Sequence, residues 1–486
     1  MRLTNVSQMQ VQPGRLLTYS MTAQAVDPPV GLPVSFDQDR HVSLGSRPGS
    51  WMAVSFHLPV QADRETIAQA WLHVIGRHGT LHTVFSRQDS FANTPTARLS
   101  GAKAANVCAA ARPAESPRSR ERLCGGPQTD LQLSVVQIEP GQWEELDQAV
   151  LAPDAARASL RAHFDAVCQS FNSPSYRLCL IEDPSGGRTP QVIIGSDHAH
   201  VDAWSLLVLA RDLAHCASDL LEGHPLGEDL PVAEPFSAHS EHLENRPFPP
   251  EEVVTRWREI LEAGGGTMPT FPLDLGDISQ PVEEIVEIRD VFDAEELTAV
   301  EAHAKEHGVR LIAVAVSVMT RLAAELSGEP FRAVFPVHSR DDQRWYNSVG
   351  WFITNSALEN HDASYLSSYA AVKEATKLGS YPLAPIMRPY GGMPQDPGMF
   401  AMSWLDHRKL PVNVAEELNP QHVSAVIRTD GVMIWFVINE TGMHLRCRYP
   451  DTRQARRSMR TWLAGLVYGL RAPLEQRALR EIKATR

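Results

Sequence analysis

The sequence feature that most constrains the fold of this chain is an abrupt change of pattern near residue 200. Residues Gln191–Gly195 (QVIIG) form a mostly apolar run that predicts a short buried strand. The polar loop Ser196–Ala203 follows at once, and a helix is then predicted to about Leu221, with its apolar face formed by Leu206, Leu209, Leu213, Cys216 and Leu220. A strand, a loop and an apolar-faced helix in this order predict an α/β core that holds the loop side chains in place.

Strand and helix patterns alternate twice along the chain, on either side of a proline-rich stretch at residues 224–250. At 486 residues, the chain is long enough for roughly two or three domains with full-sized cores. We therefore predict an α/β (α+β) fold with an N-terminal lobe at residues 1–235 and a C-terminal lobe at residues 250–486. The predicted strands are Met52–Leu58, Leu131–Ile138 and Phe331–Val337, and the predicted helices begin near Asp63, Ala155, Ala294, Arg310 and Thr452.

Two further segments carry local predictions. Residues 86–130 are rich in Ala, Ser, Pro and Arg without any period, which predicts a long surface insertion. The segments Val423–Ile427, Val432–Ile438 and His444–Arg448 are separated by Asp-Gly and Thr-Gly pairs, so we predict that they form a three-stranded meander.

Composition excludes several classes of protein. The 43% hydrophobic content excludes disorder over most of the chain, and a net charge of −13 argues against nucleic-acid binding. The six cysteines show no CxxC spacing, which favours a reducing compartment over a disulfide framework or a zinc site. The N-terminus lacks the apolar core of a signal peptide, and the apolar stretch Leu311–Met319 is too short to cross a bilayer. We expect a cytoplasmic protein without a transmembrane segment.

The loop after the predicted strand contains four titratable side chains in six residues: Asp197, His198, His200 and Asp202. A histidine in such a loop can accept and return a proton near neutral pH, and an acid four residues later can pair with an arginine. Three other interpretations stay open at this point. The four residues can be ordinary polar loop residues, the two histidines can ligate a metal, or His200 can be a supporting or surface histidine.

The spacing His198-x-x-x-Asp202 resembles the HHxxxDG motif of the condensation-domain and CoA-dependent acyltransferase superfamily. Four other segments, in the order of the family, resemble its remaining motifs. The segment 75–85 is similar to the family's "RHxxLRxxF" motif, and Trp257 together with 268–274 is similar to its "W…LPxD" motif. The segment 348–354, with Arg340 before it, is similar to "GxFxN", and 399–406 is similar to a "VMSFLD"-type strand. The resemblance is strongest to stand-alone polyketide-associated (Pap-type) acyltransferases, with free-standing nonribosomal peptide condensation enzymes nearly as similar.

This resemblance implies two chloramphenicol-acetyltransferase-like lobes with the active site in a tunnel at their interface. His198 would be the general base, and Asp202 would pair with Arg340 to support the active-site loop. The donor would be an acyl thioester on a carrier protein's phosphopantetheine arm or on coenzyme A. The acceptor would be a small molecule with a hydroxyl or amine, giving an ester or amide in natural-product or complex-lipid biosynthesis. The resemblance implies no metal and no redox cofactor, an acyl or peptidyl carrier protein acting in trans, and a monomer.

The chain departs from the family pattern at three positions. Asp197 replaces the first histidine, Ala203 replaces the glycine, and Thr354 replaces an asparagine that many relatives have. Together with Trp204 and Ser403, these three are the candidate tunnel-lining residues. An alternative function is a non-catalytic docking module for carrier proteins, although such modules typically lose the catalytic histidine. An epimerase-type relative would need an additional acidic residue that the sequence does not place.

Overall fold

The computed structural model describes residues 1–87, 130–147, 149–412 and 414–484. Most of the insertion predicted at residues 86–130 therefore lies outside the described residues. No helix in the described part of the chain is both long enough and apolar enough to cross a membrane.

The described residues form two mixed β-sheets with helices packed against them. The strands are β1 (Arg2–Asn5), β2 (Arg15–Ala25), β3 (Gly31–Leu32), β4 (Trp51–His57), β5 (Thr83–Arg87), β6 (Leu131–Glu145), β7 (Tyr176–Glu182), β8 (Gln191–Asp197), β9 (Val282–Asp293), β10 (Phe331–His338), β11 (Ile353–Asn360), β12 (Phe400–Asp406), β13 (Gln421–Ser424), β14 (Arg428–Thr429), β15 (Val432–Asn439) and β16 (Gly442–Pro450). The first sheet has the order β1-β13-β4-β8-β7-β2-β6-β3, with β5 also paired to β6. The second sheet has the order β11-β10-β12-β15-β16-β9-β14. The predicted mixed α/β fold is confirmed.

The helices connect and cover these sheets. They are α1 (Phe36–Val42), α2 (Arg64–Arg77), α3 (Pro153–Val167), α4 (Ala203–Glu222), α5 (Phe236–Glu244), α6 (Glu251–Ala263), α7 (Ala294–Glu306), α8 (Leu311–Ser327), α9 (Tyr365–Gly379), α10 (Ala384–Met387) and α11 (Arg453–Ala484). Two of them show how local sequence sets a boundary. The Asp63 side chain accepts from the N–H of Thr66 at the start of α2, as predicted, and α4 ends where Gly223 adopts a positive φ of 73°.

Both sheets pack against helices in apolar cores, and the first sheet does so on both of its faces. In the first half, α2 and α4 pack their apolar faces, including Trp71 and Leu209, against the first sheet. In the second half, α8 and α11 cover a face of the second sheet that carries the cross-strand row Met402, Ile434 and Cys447. Because successive strand residues point to opposite faces, the residues that precede and follow Met402, Ile434 and Cys447 on their own strands turn away from the core. On this opposite face, Val334, Ala357 and Ala401 pack against α6, and other residues line a cavity.

The predicted meander is wrong in its first strand. Strands β15 and β16 do form an antiparallel hairpin, but β13 leaves the second half and pairs in the first sheet, parallel to β1 and antiparallel to β4. Those two neighbouring strands supply backbone hydrogen-bond partners on both sides of β13. The local sequence pattern of a strand does not reveal which strands it pairs with. The division of the chain into two lobes at residues 235–250 stays a prediction. Among the described strands, β13 belongs to the second half of the sequence but pairs in the first sheet.

Candidate active site

A cavity of about 2260 Å³ is lined by residues from both halves of the chain. The first half contributes His198 and Trp204, and the second contributes Ser403 and Trp435 from the face of the second sheet that is turned away from its core. A space of this size exceeds the roughly 300–1,000 Å³ typical of small-molecule sites. The cavity can therefore hold two substrates at once, or one substrate with a long chain.

The turn between β8 and α4 presents His198 to this cavity. The backbone N–H of His198 donates to the carbonyl of Ser50 at 2.9 Å, which anchors the start of the turn. The imidazole is half-buried and stacks on the indole of Trp351, with ring centroids 4.0 Å apart and planes 28° apart. Since Nδ1 is buried, Nε2 is the ring nitrogen that can meet a ligand in the cavity.

The surroundings of His198 favour its neutral form. Burial is the largest cause that lowers its pKa to about 4, and the neighbouring His41 lowers it further. The carboxylates of Asp197 and Asp202 act in the opposite direction without cancelling the effect of burial. At neutral pH the imidazole is therefore uncharged and has a lone pair available to accept a proton.

Asp202 and Arg340, 138 residues apart in sequence, form a buried bidentate ion pair. Arg340 Nη1 lies 2.6 Å from Asp202 Oδ2, and Arg340 Nη2 lies 3.1 Å from Oδ1. Asp202 also accepts from the backbone N–H of Ser205 at 2.7 Å and of Phe352 at 3.2 Å. Burial alone would raise the pKa of Asp202, but the charge and hydrogen bonds of Arg340 outweigh it and hold that pKa below its usual value.

Arg340 connects the loop to a second segment of the chain. Its guanidinium donates to the carbonyls of Trp345 and Ser348, both at 3.2 Å, and lies 3.9 Å from the ring centroid of Phe352. Because Asp202 is also the N-cap residue of α4, one ion pair joins the His198 turn, the helix and residues 345–352. The pair thus fixes the position of the turn that carries His198.

Asp197 and Thr354 do not line the cavity, which corrects the sequence-based assignment. The Asp197 carboxylate is buried and accepts from Ser50 Oγ at 2.6 Å and from the N–H of Ala199 at 2.9 Å, so it stabilises the turn from inside. Thr354 lies between two strand residues that do line the cavity, and strand alternation turns its side chain to the opposite face. Ala203, Trp204 and Ser403 do line the cavity.

Two cavity residues were not identified from the sequence. His41 on α1 lies with Nε2 3.2 Å from Asp197 Oδ1 and with Nδ1 3.1 Å from Arg47 Nη2. Its ring centroid is 5.1 Å from Trp351 and 6.1 Å from His198. Trp351 falls inside a family-like segment that could have pointed to it. No sequence motif identifies His41, because only the tertiary structure brings α1 next to this turn.

His200 is a buried residue of the first half and not a surface residue. Its Nδ1 lies 3.0 Å from Ser175 Oγ, and its ring packs edge-on against Phe85 at 5.2 Å. Burial lowers its pKa to about 4, and it does not line the cavity. Among the described residues, no group of three His, Cys, Asp or Glu side chains is arranged to hold a metal ion.

The chain is similar in sequence to named acyltransferases and in fold to solved structures. The chain is 24% identical over 291 residues to acyltransferase PapA3 of Mycobacterium tuberculosis, which covers 56% of this chain and 60% of the relative. The match thus spans less than two thirds of the relative's length. No family model matches the chain.

The solved structures match over nearly the whole chain. The PapA2 acyl transferase superposes with a TM-score of 0.77 at 19% identity, covering 97% of this chain and 99% of that one. The first condensation domain of the CDA synthetase superposes with a TM-score of 0.64 at 12% identity, covering 91% and 97%. The chain therefore has the fold of these acyltransferase and condensation-domain structures, and the resemblance stated from the sequence motifs is confirmed.

Proposed function

We propose that this chain, which has the condensation-domain fold, is an acyltransferase with His198 as its general base. It transfers an acyl group from a thioester to a hydroxyl or amine acceptor, forming an ester or an amide. The observation that carries the proposal is the position of the His198 imidazole at the wall of a large cavity that is lined by both halves of the chain. The sequence similarity to PapA3, a named acyltransferase, supports the same class of reaction.

In the proposed reaction, Nε2 of His198 accepts the proton of the acceptor O–H or N–H as the acceptor atom attacks the thioester carbonyl carbon. The tetrahedral intermediate collapses, the C–S bond breaks, and the imidazolium returns the proton to the departing thiolate. The low pKa of His198 means that the imidazolium is short-lived, which favours this return. The thioester supplies the activated acyl group, so the reaction needs no metal and no redox cofactor.

The bracing of the turn is the second part of the proposal. Nε2 must lie within hydrogen-bond reach of the acceptor proton, and small displacements of a catalytic group cost large factors in rate. The ion pair of Asp202 with Arg340 and the stacking of His198 on Trp351 restrict the turn and the ring. Asp202 and Arg340 are therefore positioning residues rather than catalytic residues.

The test is an acyl-transfer assay of the wild type and His198→Ala with acyl thioesters of coenzyme A and of a carrier protein. Acceptors are a panel of alcohols and amines, and the readouts are thiol release and product mass. We expect acceptor-dependent turnover that falls by about 10²–10⁴-fold in the variant. Thermal denaturation of His198→Ala should match the wild type, because His198 makes few stabilising hydrogen bonds.

The pH profile of kcat/KM gives a second readout. Because the pKa of His198 is about 4, we expect no loss of activity from its protonation between about pH 5 and 8. Wild-type turnover that survives His198→Ala would contradict the assignment of the base. No turnover with any donor, together with tight binding of a carrier protein, would favour the alternative, a docking module.

A further inference from the structure

The cavity differs in charge from the protein that surrounds it. The whole chain has 45 lysines and arginines against 58 aspartates and glutamates. Among the described residues that line the cavity, the balance is reversed, with eleven lysines and arginines against six aspartates and glutamates. An acidic protein that concentrates positive charge in one cavity creates a local field that attracts anions.

Two of these cations lie on one strand of the cavity wall. Arg446 and Arg448 alternate along β16 with core residues such as Cys447, so both side chains face the cavity. Their guanidiniums lie against the ring of Trp435, with distances of 4.4 and 5.3 Å from the guanidinium carbon to the ring centroid. Trp435 is paired in register with Arg446, so the indole fixes the direction of the guanidinium.

Arg446 is almost fully buried, yet few of its donors are used. Its Nη2 donates to Ser424 Oγ at 2.7 Å. Its Nε is buried and has no hydrogen-bond partner among the described residues. A guanidinium has five N–H donors in a fixed plane, and a buried one normally satisfies most of them. Arg446 therefore lines the cavity with its hydrogen-bonding capacity only partly used.

The charge of this pair is also incompletely balanced. Glu284 is the carboxylate whose charge acts on both arginines, and its Oε2 lies 3.8 Å from Arg448 Nε, beyond hydrogen-bond distance. Burial and then the charge of Arg448 lower the pKa of Arg446 to about 9. Buried arginines that serve only stability are normally matched by carboxylates and hydrogen bonds.

We propose that Arg446 and Arg448 form a binding site for an anionic oxygen-bearing group of a substrate, namely a phosphate, a sulfate or a carboxylate. The planar guanidiniums present donors in the geometry that such oxyanions accept in pairs. The ligand's negative charge balances the excess positive charge, and its oxygens satisfy the unused donors. As a substrate site, this inference rests on the proposed acyl transfer, since His198 lines the same cavity.

The first experiment measures anion binding without any activity. Thermal denaturation of the full chain is followed in sodium sulfate, sodium phosphate and sodium chloride at equal ionic strength, for the wild type, Arg446→Gln and Lys373→Gln. Lys373 is the control, because it lines the cavity but is exposed and lies over Tyr369. Sulfate strengthens folding of proteins in general, so only the difference between variants is informative.

We expect sulfate or phosphate to raise the Tm of the wild type and of Lys373→Gln by the same amount, and that of Arg446→Gln by less. Equal shifts in all three proteins would overturn the anion site, whether or not the chain proves to be an acyltransferase. Arg448→Gln serves as the second variant if Arg446→Gln does not fold. Arg448→Gln leaves the contact between Arg446 and Ser424 in place, so a lost anion effect in that variant cannot be due to loss of this contact.

The second experiment identifies which substrate carries the anion. The donors are an acyl-coenzyme A and the matching acyl-N-acetylcysteamine thioester, which has no phosphate, and each is assayed with one alcohol in free and sulfated forms. If the anion belongs to the acceptor, Arg446→Gln raises KM for the sulfated acceptor at least about tenfold with both donors. If it belongs to the donor, the variant raises KM only for the coenzyme A thioester. Unchanged KM values for every pair would overturn the substrate assignment.

Discussion

Two buried arginines that line the cavity show different uses of the same side chain. Arg340 donates to both oxygens of Asp202 and to two backbone carbonyls, so its charge and donors are matched within the protein. Arg446 lies on Trp435 and donates to Ser424, while its Nε has no partner among the described residues. A fully matched guanidinium holds segments together, whereas a partly matched one in a cavity wall remains available to a ligand.

Breaking the ion pair of Asp202 with Arg340 should greatly reduce the stability of the fold. Replacing Asp202 by Ala leaves the Arg340 charge buried without its partner and also removes the N-cap of α4. We expect the free energy of unfolding to fall by about 3–5 kcal/mol, measured by urea denaturation. Acyl transfer should be lost along with stability, because the turn carrying His198 is no longer fixed. A variant with wild-type stability and activity would show that the pair does not brace the site.

Acid should weaken the same pair, and a comparison with Asp202→Asn isolates its contribution. The pKa of Asp202 is held below its usual value in the folded protein, so its stabilisation is complete above the unfolded pKa of about 3.9. It is lost as the pH falls through the lower folded pKa. We therefore expect the Tm difference between the wild type and the variant to be constant from about pH 5 to 8 and to shrink below about pH 4. A constant difference at every pH would contradict the assigned ion pair.

Replacing Arg446 should change the stability of the fold only slightly. In the absence of ligand, Arg446→Gln relieves an unbalanced buried charge and loses one hydrogen bond, to Ser424 Oγ. We expect the free energy of unfolding to change by less than about 1 kcal/mol, or to increase, in the same urea assay. A loss as large as that of Asp202→Ala would show that Arg446 is a structural brace like Arg340, and the contrast between the two arginines would disappear.

Several elements of the fold were predictable because their signals are local. The period of apolar residues identified β4, β8, α2, α4 and α8 within a few residues, and Asp63 was predicted correctly as the cap of α2. The strand β13 was assigned to the wrong sheet. Alternation shows that a segment is extended and which residues share a face, but the choice of neighbouring strand depends on long-range backbone pairing.

The candidate site divides in the same way. The sequence alone determined that His198 and Asp202 share one loop between a buried strand and a helix, and the family resemblance pointed to Arg340. Only the tertiary structure decided that Asp197 turns inward, that His41 and Trp351 lie beside His198, and that Arg446 faces the cavity with unused donors. The physical reason is that burial, charge balance and hydrogen-bond satisfaction depend on all the elements around a side chain, which here come from distant parts of the chain.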